Sequence, residues 1–173
     1  MTAALDVIKT GMSTELWGQR FYREAVARTE SEDGKKVFEG LVEEEGRHLD
    51  ILRGEYAALV GSSTWVSLED AVAMAESVVP LEIFPEAGEA NKLIPAGATD
   101  EQALEMAMEF ERRGYNLYAE AATKAEGAEE RRLWEHLAKA EDAHYQYLHE
   151  TYEYLVNNGV WFYDDLERPF FEG

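Results

Sequence analysis

Apolar residues recur at helical spacing through residues 2–30 (Leu5, Ile8, Met12, Leu16, Phe21, Val26), with no proline to interrupt them. That period predicts one long helix. Ser31 to Gly34 breaks it, and a second helical pattern (Val37, Leu41, His48, Ile51, Leu52, Tyr56, Leu59) runs on to Gly61, as the antiparallel partner of the first. Between residues 61 and 98 the period weakens. Ser67-Leu68-Glu69-Asp70 reads as the start of a short helix ending near Val79, and Pro80, Pro85 and Pro95 punctuate the rest as a long crossover. Thr99-Asp100-Glu101-Gln102 has the form of a capping box and opens a third helix to about Ala125. Gly127 separates it from a fourth, Ala128 to about Val156, which Asn157-Asn158-Gly159 ends. The tail over 157–173 carries Trp161, Phe162, Tyr163, Phe170 and Phe171 with Pro169, and reads as irregular chain packed on the bundle or on a second subunit.

An internal repeat organises these elements. Shifted by 96 positions, residues 11–56 match 107–152 without a gap at 13 of 46 positions, among them Glu15/Glu111, Gly18/Gly114, Tyr22/Tyr118, Glu45/Glu141 and His48/His144. Two copies of one helical hairpin (2–60 and 99–156) joined by a crossover (61–98) predict an all-α four-helix bundle, a single domain over 1–173 whose interior is lined equally by both halves.

Composition narrows the chemistry. The chain has 173 residues with 36 acids, 16 bases and a formal charge of −20, which argues against an electrostatic grip on nucleic acid or anionic lipid and favours a cation. Of the 36 acids 28 are Glu, a good helix former, so the acidity belongs to the helices. There is no cysteine, which removes thiolate catalysis and Cys-ligated metal and leaves oxygen and nitrogen as the available ligands. No apolar run approaches the roughly 20 residues that span a bilayer, and Met1 to Lys9 does not read as a secretion signal, so a soluble cytoplasmic protein is expected.

Glu45-Gly46-Arg47-His48 and Glu141-Asp142-Ala143-His144 are both Glu-x-x-His, a spacing that puts both side chains on one helix face. A single such pair is commonplace in a Glu-rich chain. Here each is preceded 30 positions upstream by a glutamate, Glu15 or Glu111, at the middle of the partner helix. Glu15 lies among Met12, Leu16 and Tyr22, where an uncompensated carboxylate costs several kcal/mol that a metal ion removes. Two Glu and two Glu-x-x-His facing inward are the ligand set of di-iron and di-manganese carboxylate bundles. Tyr22 and Tyr118 follow the glutamates by seven residues on the same face. Their hydroxyls either hydrogen-bond a ligand carboxylate or relay electrons, or the rings are plain core. Gly18 and Gly114, one turn beyond the glutamates, read either as close helix packing or as room for a diatomic substrate. His136 and His149 lack the paired glutamate and read as structural or exposed; Glu24/Glu120, Glu39/Glu135 and the Glu43-Glu44 part of the acidic run read as solvated faces.

These motifs resemble those of the rubrerythrin-like branch of the ferritin-like di-iron proteins. The resemblance is carried by Glu15…Phe21-Tyr22 and Glu111…Leu117-Tyr118, by Phe38-x-x-Leu41-x-x-x-Glu45-x-x-His48 and Trp134-x-x-Leu137-x-x-x-Glu141-x-x-His144, and by Ile83-Phe84-Pro85 in the crossover. It implies a ferritin-like bundle with two iron ions per chain (manganese or a mixed pair being alternatives). It further implies Glu45 and Glu141 as bridging ligands, Glu15 and Glu111 as terminal ligands, and His48 and His144 as one ligand to each metal. Two departures stand out. Rubrerythrins proper carry a further glutamate where this chain has Gly114, and a cysteine-bound iron domain for which this chain has no cysteine.

The leading functional expectation is a redox enzyme reducing hydrogen peroxide or dioxygen with electrons from an external donor such as a rubredoxin-like protein, as a homodimer. A ferroxidase or iron-handling protein is the second reading. A metal-free helical interaction protein is the third.

Overall fold

The computed structural model describes residues 2–68, 70, 71 and 93–163. Four long helices account for most of them: α1 (Thr2–Arg28), α2 (Glu32–Ser62), α3 (Asp100–Lys124) and α4 (Ala128–Asn158). There is no strand among the described residues. α1 packs along α2 and α3 along α4, and the two hairpins meet where α1 faces α3. Short turns between partners, residues 29–31 and 125–127, force each pair to run antiparallel.

Local chemistry sets the helix ends. The Ser31 hydroxyl caps α2 by accepting from the Gly34 backbone N–H at 3.3 Å, so Asp33 and Gly34 belong to the helix rather than to the expected break. The capping box is complete at α3, where Thr99 Oγ1 accepts from Gln102 N at 3.3 Å and Gln102 Oε1 accepts from Thr99 N at 3.0 Å. Such a cap is worth about 1 kcal/mol. At the end of α4, Gly159 takes φ 70°, the left-handed conformation glycine reaches without steric cost.

Two apolar layers fill the bundle. One holds Ile8, Met12, Leu52, Tyr118, Trp134 and Leu137; the other holds Phe21, Tyr22, Phe38, Leu41, Leu104 and Leu148. The repeat is visible in the stacking: Tyr118 lies over Trp134 with centroids 5.9 Å apart, and Tyr22 over Phe38 at 6.2 Å.

The described part of the crossover is pinned to the bundle. Trp65 packs edge-on against Trp134 at 6.0 Å, and a Cβ at Gly54 would lie 1.8 Å from the Ala71 carbonyl oxygen, so only glycine lets the backbone pass. Buried Glu55 accepts from the Val66 N–H at 3.3 Å, and burial pushes its carboxyl up to about 7. Ser67 accepts from Asp70 N at 3.2 Å, which agrees with the expected helix start. The expected end near Val79, Pro80 and Ile83-Phe84-Pro85 lie outside the described residues. Of the tail, Trp161 packs on the bundle, edge-on to Phe38 at 5.6 Å, with its indole N–H donating to Asp100 at 2.7 Å. Pro169, Phe170 and Phe171 lie outside the described residues. No helix among the described residues is long and apolar enough to cross a membrane.

Candidate metal centre

Between the two apolar layers the helices bring all six repeated Glu and His side chains together. Glu15, Glu45, Glu111, Glu141, His48 and His144 are between 0% and 3% exposed. Glu15 comes from α1, Glu45 and His48 from α2, Glu111 from α3, Glu141 and His144 from α4. Each Glu-x-x-His pair meets the glutamate of its own hairpin and reaches across to the other. His48 Nδ1 is 3.4 Å from Glu15 Oε2 and 3.4 Å from Glu141 Oε1; His144 Nδ1 is 3.3 Å from Glu111 Oε2 and 3.5 Å from Glu45 Oε1. The two rings stack with centroids 5.4 Å apart and planes 21° from parallel.

Two overlapping donor groups result. Glu15, Glu45, His48 and Glu141 present ligand atoms within 4.8 Å of one another, and so do Glu45, Glu111, Glu141 and His144. Glu45 and Glu141 belong to both. Their four carboxylate oxygens, with Glu15 Oε2 and His48 Nδ1, have no hydrogen-bond partner among the described residues. Orphaned buried polar atoms are costly, and metal bound among these donors would satisfy them. Hard oxygen donors with one imidazole per group suit iron or manganese.

The electrostatics of the metal-free cage point the same way. Burial first, then the neighbouring carboxylates, push the Glu45 and Glu141 carboxyls well above their ordinary value. Burial also raises Glu15 and Glu111, yet the neighbouring Glu45 and the charge of His48 outweigh it at Glu15, and the charge of His144 outweighs it at Glu111, so both lie below their ordinary value. Burial lowers His48, but Glu15 and Glu141 raise it to about 10. Without metal, the cage therefore favours the protonated forms of Glu45, Glu141 and His48.

The tyrosines complete the centre in a way their spacing does not reveal. Tyr22 donates to Glu111 Oε1 and Tyr118 to Glu15 Oε1, each across to the other hairpin. Both are fully buried; burial, then the charge of the glutamate they serve, raises both phenols well above their ordinary value.

The two glycines make room for carboxylates. A Cβ at Gly18 would lie 2.9 Å from Glu45 Oε2, and one at Gly114 would lie 2.7 Å from Glu141 Oε2. The close approach at both glycines is thus to the carboxylates of Glu45 and Glu141. At Gly114, where rubrerythrins proper carry a further glutamate, Glu141 fills the position. Gly114→Ala is expected to keep its helicity but to weaken metal binding by about 10–100-fold, the range seen when a partner of a metal ligand is disturbed. Titration against a coloured chelator measures this, and unchanged affinity would show that Glu141 does not need the space.

Other candidates fall outside the cage. His149, beside Glu153 at 3.9 Å, and His136 are both half-buried. Glu39, Glu43, Glu120 and Glu135 are exposed, while Glu24 is half-buried and pairs with Arg28 at 2.6 Å. Glu44 corrects the reading of the acidic run as solvated. It is 5% exposed and lies against His48 and His144. The overlooked signal is its position four residues before His48, on the same face of α2.

A ferritin-like four-helix bundle with a buried carboxylate and histidine cluster fits the di-iron class of proteins. The sequence profile of the Rubrerythrin family matches residues 6–152, and the chain belongs to that family. Among solved structures, a hypothetical protein from Pyrococcus furiosus shares the fold, with TM-score 0.64 and 23% identity, covering 89% of this chain and 90% of that one. No curated protein matches the sequence.

Proposed function

We propose that this protein is a non-haem di-iron redox enzyme that reduces hydrogen peroxide or dioxygen with electrons from an external donor. The observation that carries the reading is the pair of buried four-donor groups sharing Glu45 and Glu141. In this reading Glu45 and Glu141 would be shared by both metals, Glu15 and Glu111 would be terminal ligands, and His48 and His144 would serve one metal each. Two irons, when bound, supply the electrons that a two-electron oxidant takes up, and manganese is the alternative occupant.

The chain's own residues do the rest. Tyr22 and Tyr118 hold Glu111 and Glu15 by hydrogen bonds from the opposite hairpin. Tyr22, Phe38, Tyr118 and Trp134, stacked in two pairs, are themselves buried, so the hydroxyls of Tyr22 and Tyr118 meet the glutamates away from bulk water. Reduction of one peroxide to two waters takes two electrons and two protons. We assign the electrons to an external donor such as a rubredoxin-like protein, with the enzyme acting as a cytoplasmic homodimer.

The test is anaerobic loading with ferrous iron followed by a peroxide pulse in stopped flow. About one peroxide consumed per pair of irons, with all iron retained and repeated turnover on adding reductant, is expected. The −20 charge favours a second reading, oxidation and handling of ferrous ions, because such a field gathers cations. Continued oxidation of added ferrous iron beyond the bound pair, with deposition, would select it over the first.

A further inference from the structure

Glu44 breaks the twofold pattern of the cage. Its repeat partner is Ala140, also buried, so only one half of the molecule carries a carboxylate here. A carboxylate oxygen of Glu44 gathers with a ring nitrogen of His48 and one of His144 within 4.8 Å, all three residues buried. The two Nδ1 atoms already face the cage glutamates at 3.3–3.5 Å. The rings lie nearly parallel, 5.4 Å between centroids, so their far edges stand side by side. Arg47, whose side chain is 59% exposed, pairs with Glu44 from the solvent side. A second carboxylate at Ala140 would set like charges against the same two rings, which is unfavourable in so dry a place.

We infer that Glu44 is a positioning residue that accepts the Nε2–H of both His48 and His144, and so keeps both Nδ1 lone pairs turned toward the metal cages. An imidazole that binds metal through one nitrogen is fixed in tautomer and orientation by what the other donates to, and loss of that partner commonly costs 10–100-fold in affinity. One carboxylate shared by two ligands also ties the two halves of the repeat together at the centre. The inference rests on the metal-binding reading above.

The experiment is long-range proton–nitrogen NMR of nitrogen-15-labelled protein loaded with zinc, a diamagnetic probe. Wild-type protein is expected to show two ring Nε2–H protons, shifted downfield and slow to exchange. In Glu44→Ala both should exchange at least about tenfold faster, with zinc affinity down about 10–100-fold. Arg47→Met, which leaves the carboxylate in place, should keep both signals. Glu44→Gln, of the same size and with a single acceptor oxygen, serves as the second variant if alanine impairs folding, and should lose protection of at least one ring proton. Retention of both slow signals in both Glu44 variants overturns the inference, as does a response at one ring alone in Glu44→Ala. Failure of wild-type protein to take up zinc sinks the metal-binding reading itself, and is seen before any variant is compared.

Discussion

Glu45→Ala and Glu141→Ala proteins are each expected to lose both metal ions, not one. The reason is geometric: each of these carboxylates belongs to both donor groups, whereas Glu15 and Glu111 belong to one apiece. Metal analysis of protein reloaded anaerobically with ferrous iron should give about two ions per chain for the wild type. It should give essentially none for either shared-glutamate variant, and an intermediate value for Glu15→Ala or Glu111→Ala. Removing a direct ligand should exceed the roughly 10–100-fold penalty of disturbing an outer partner. Misfolding does not supply the loss. Glu45 and Glu141 are buried carboxyls whose ionisation the metal-free protein resists, so their removal should leave the metal-free fold as stable or more so, checked by thermal melts. Two ions retained in either variant would dismantle the shared-ligand assignment.

Metal loading should raise the melting temperature steeply, and more steeply at higher pH. At free metal 1,000-fold above Kd, one site adds about 4 kcal/mol. Each kcal/mol is worth about 2–4 °C for a domain of this size. The pH dependence has a definite sign. Glu45, Glu141 and His48 have raised values in the metal-free fold. Their protons stabilise it at low pH, and that contribution is lost as pH rises through the folded values, to about 10 for His48. Glu15 and Glu111 are depressed below 4.5, so their contribution is present above the ordinary carboxyl range and constant from pH 6 upward. Metal competes with protons at these groups, so the increment in melting temperature should grow between pH 6 and pH 8.5. Glu55, raised to about 7, titrates in loaded and metal-free protein alike and cancels in the difference. Melts with manganese(II), which avoids ferrous oxidation, test this; a flat or falling increment would contradict the proton inventory of the cage.

The chain's residues by themselves determined the helices, the repeat and the gathering of six donors. Those are local or periodic properties. A three-residue spacing puts Glu45 beside His48, and Glu141 beside His144, on any helix. Ser31, Thr99 and Gly159 satisfy helix ends with their own atoms, and a period of 96 residues needs no coordinates to be seen. Tertiary structure alone decided what depends on distances between helices. Tyr22 serves Glu111 and Tyr118 serves Glu15 because two helical turns carry each hydroxyl away from its own glutamate and toward the opposite hairpin. Gly18 and Gly114 hold open the places of Glu45 and Glu141, a fact written in the spacing of α1 from α2 and of α3 from α4. Glu44 is buried because His144 of α4 lies opposite it. Periodicity along a single helix says which face a residue occupies, but only packing says what stands across from it.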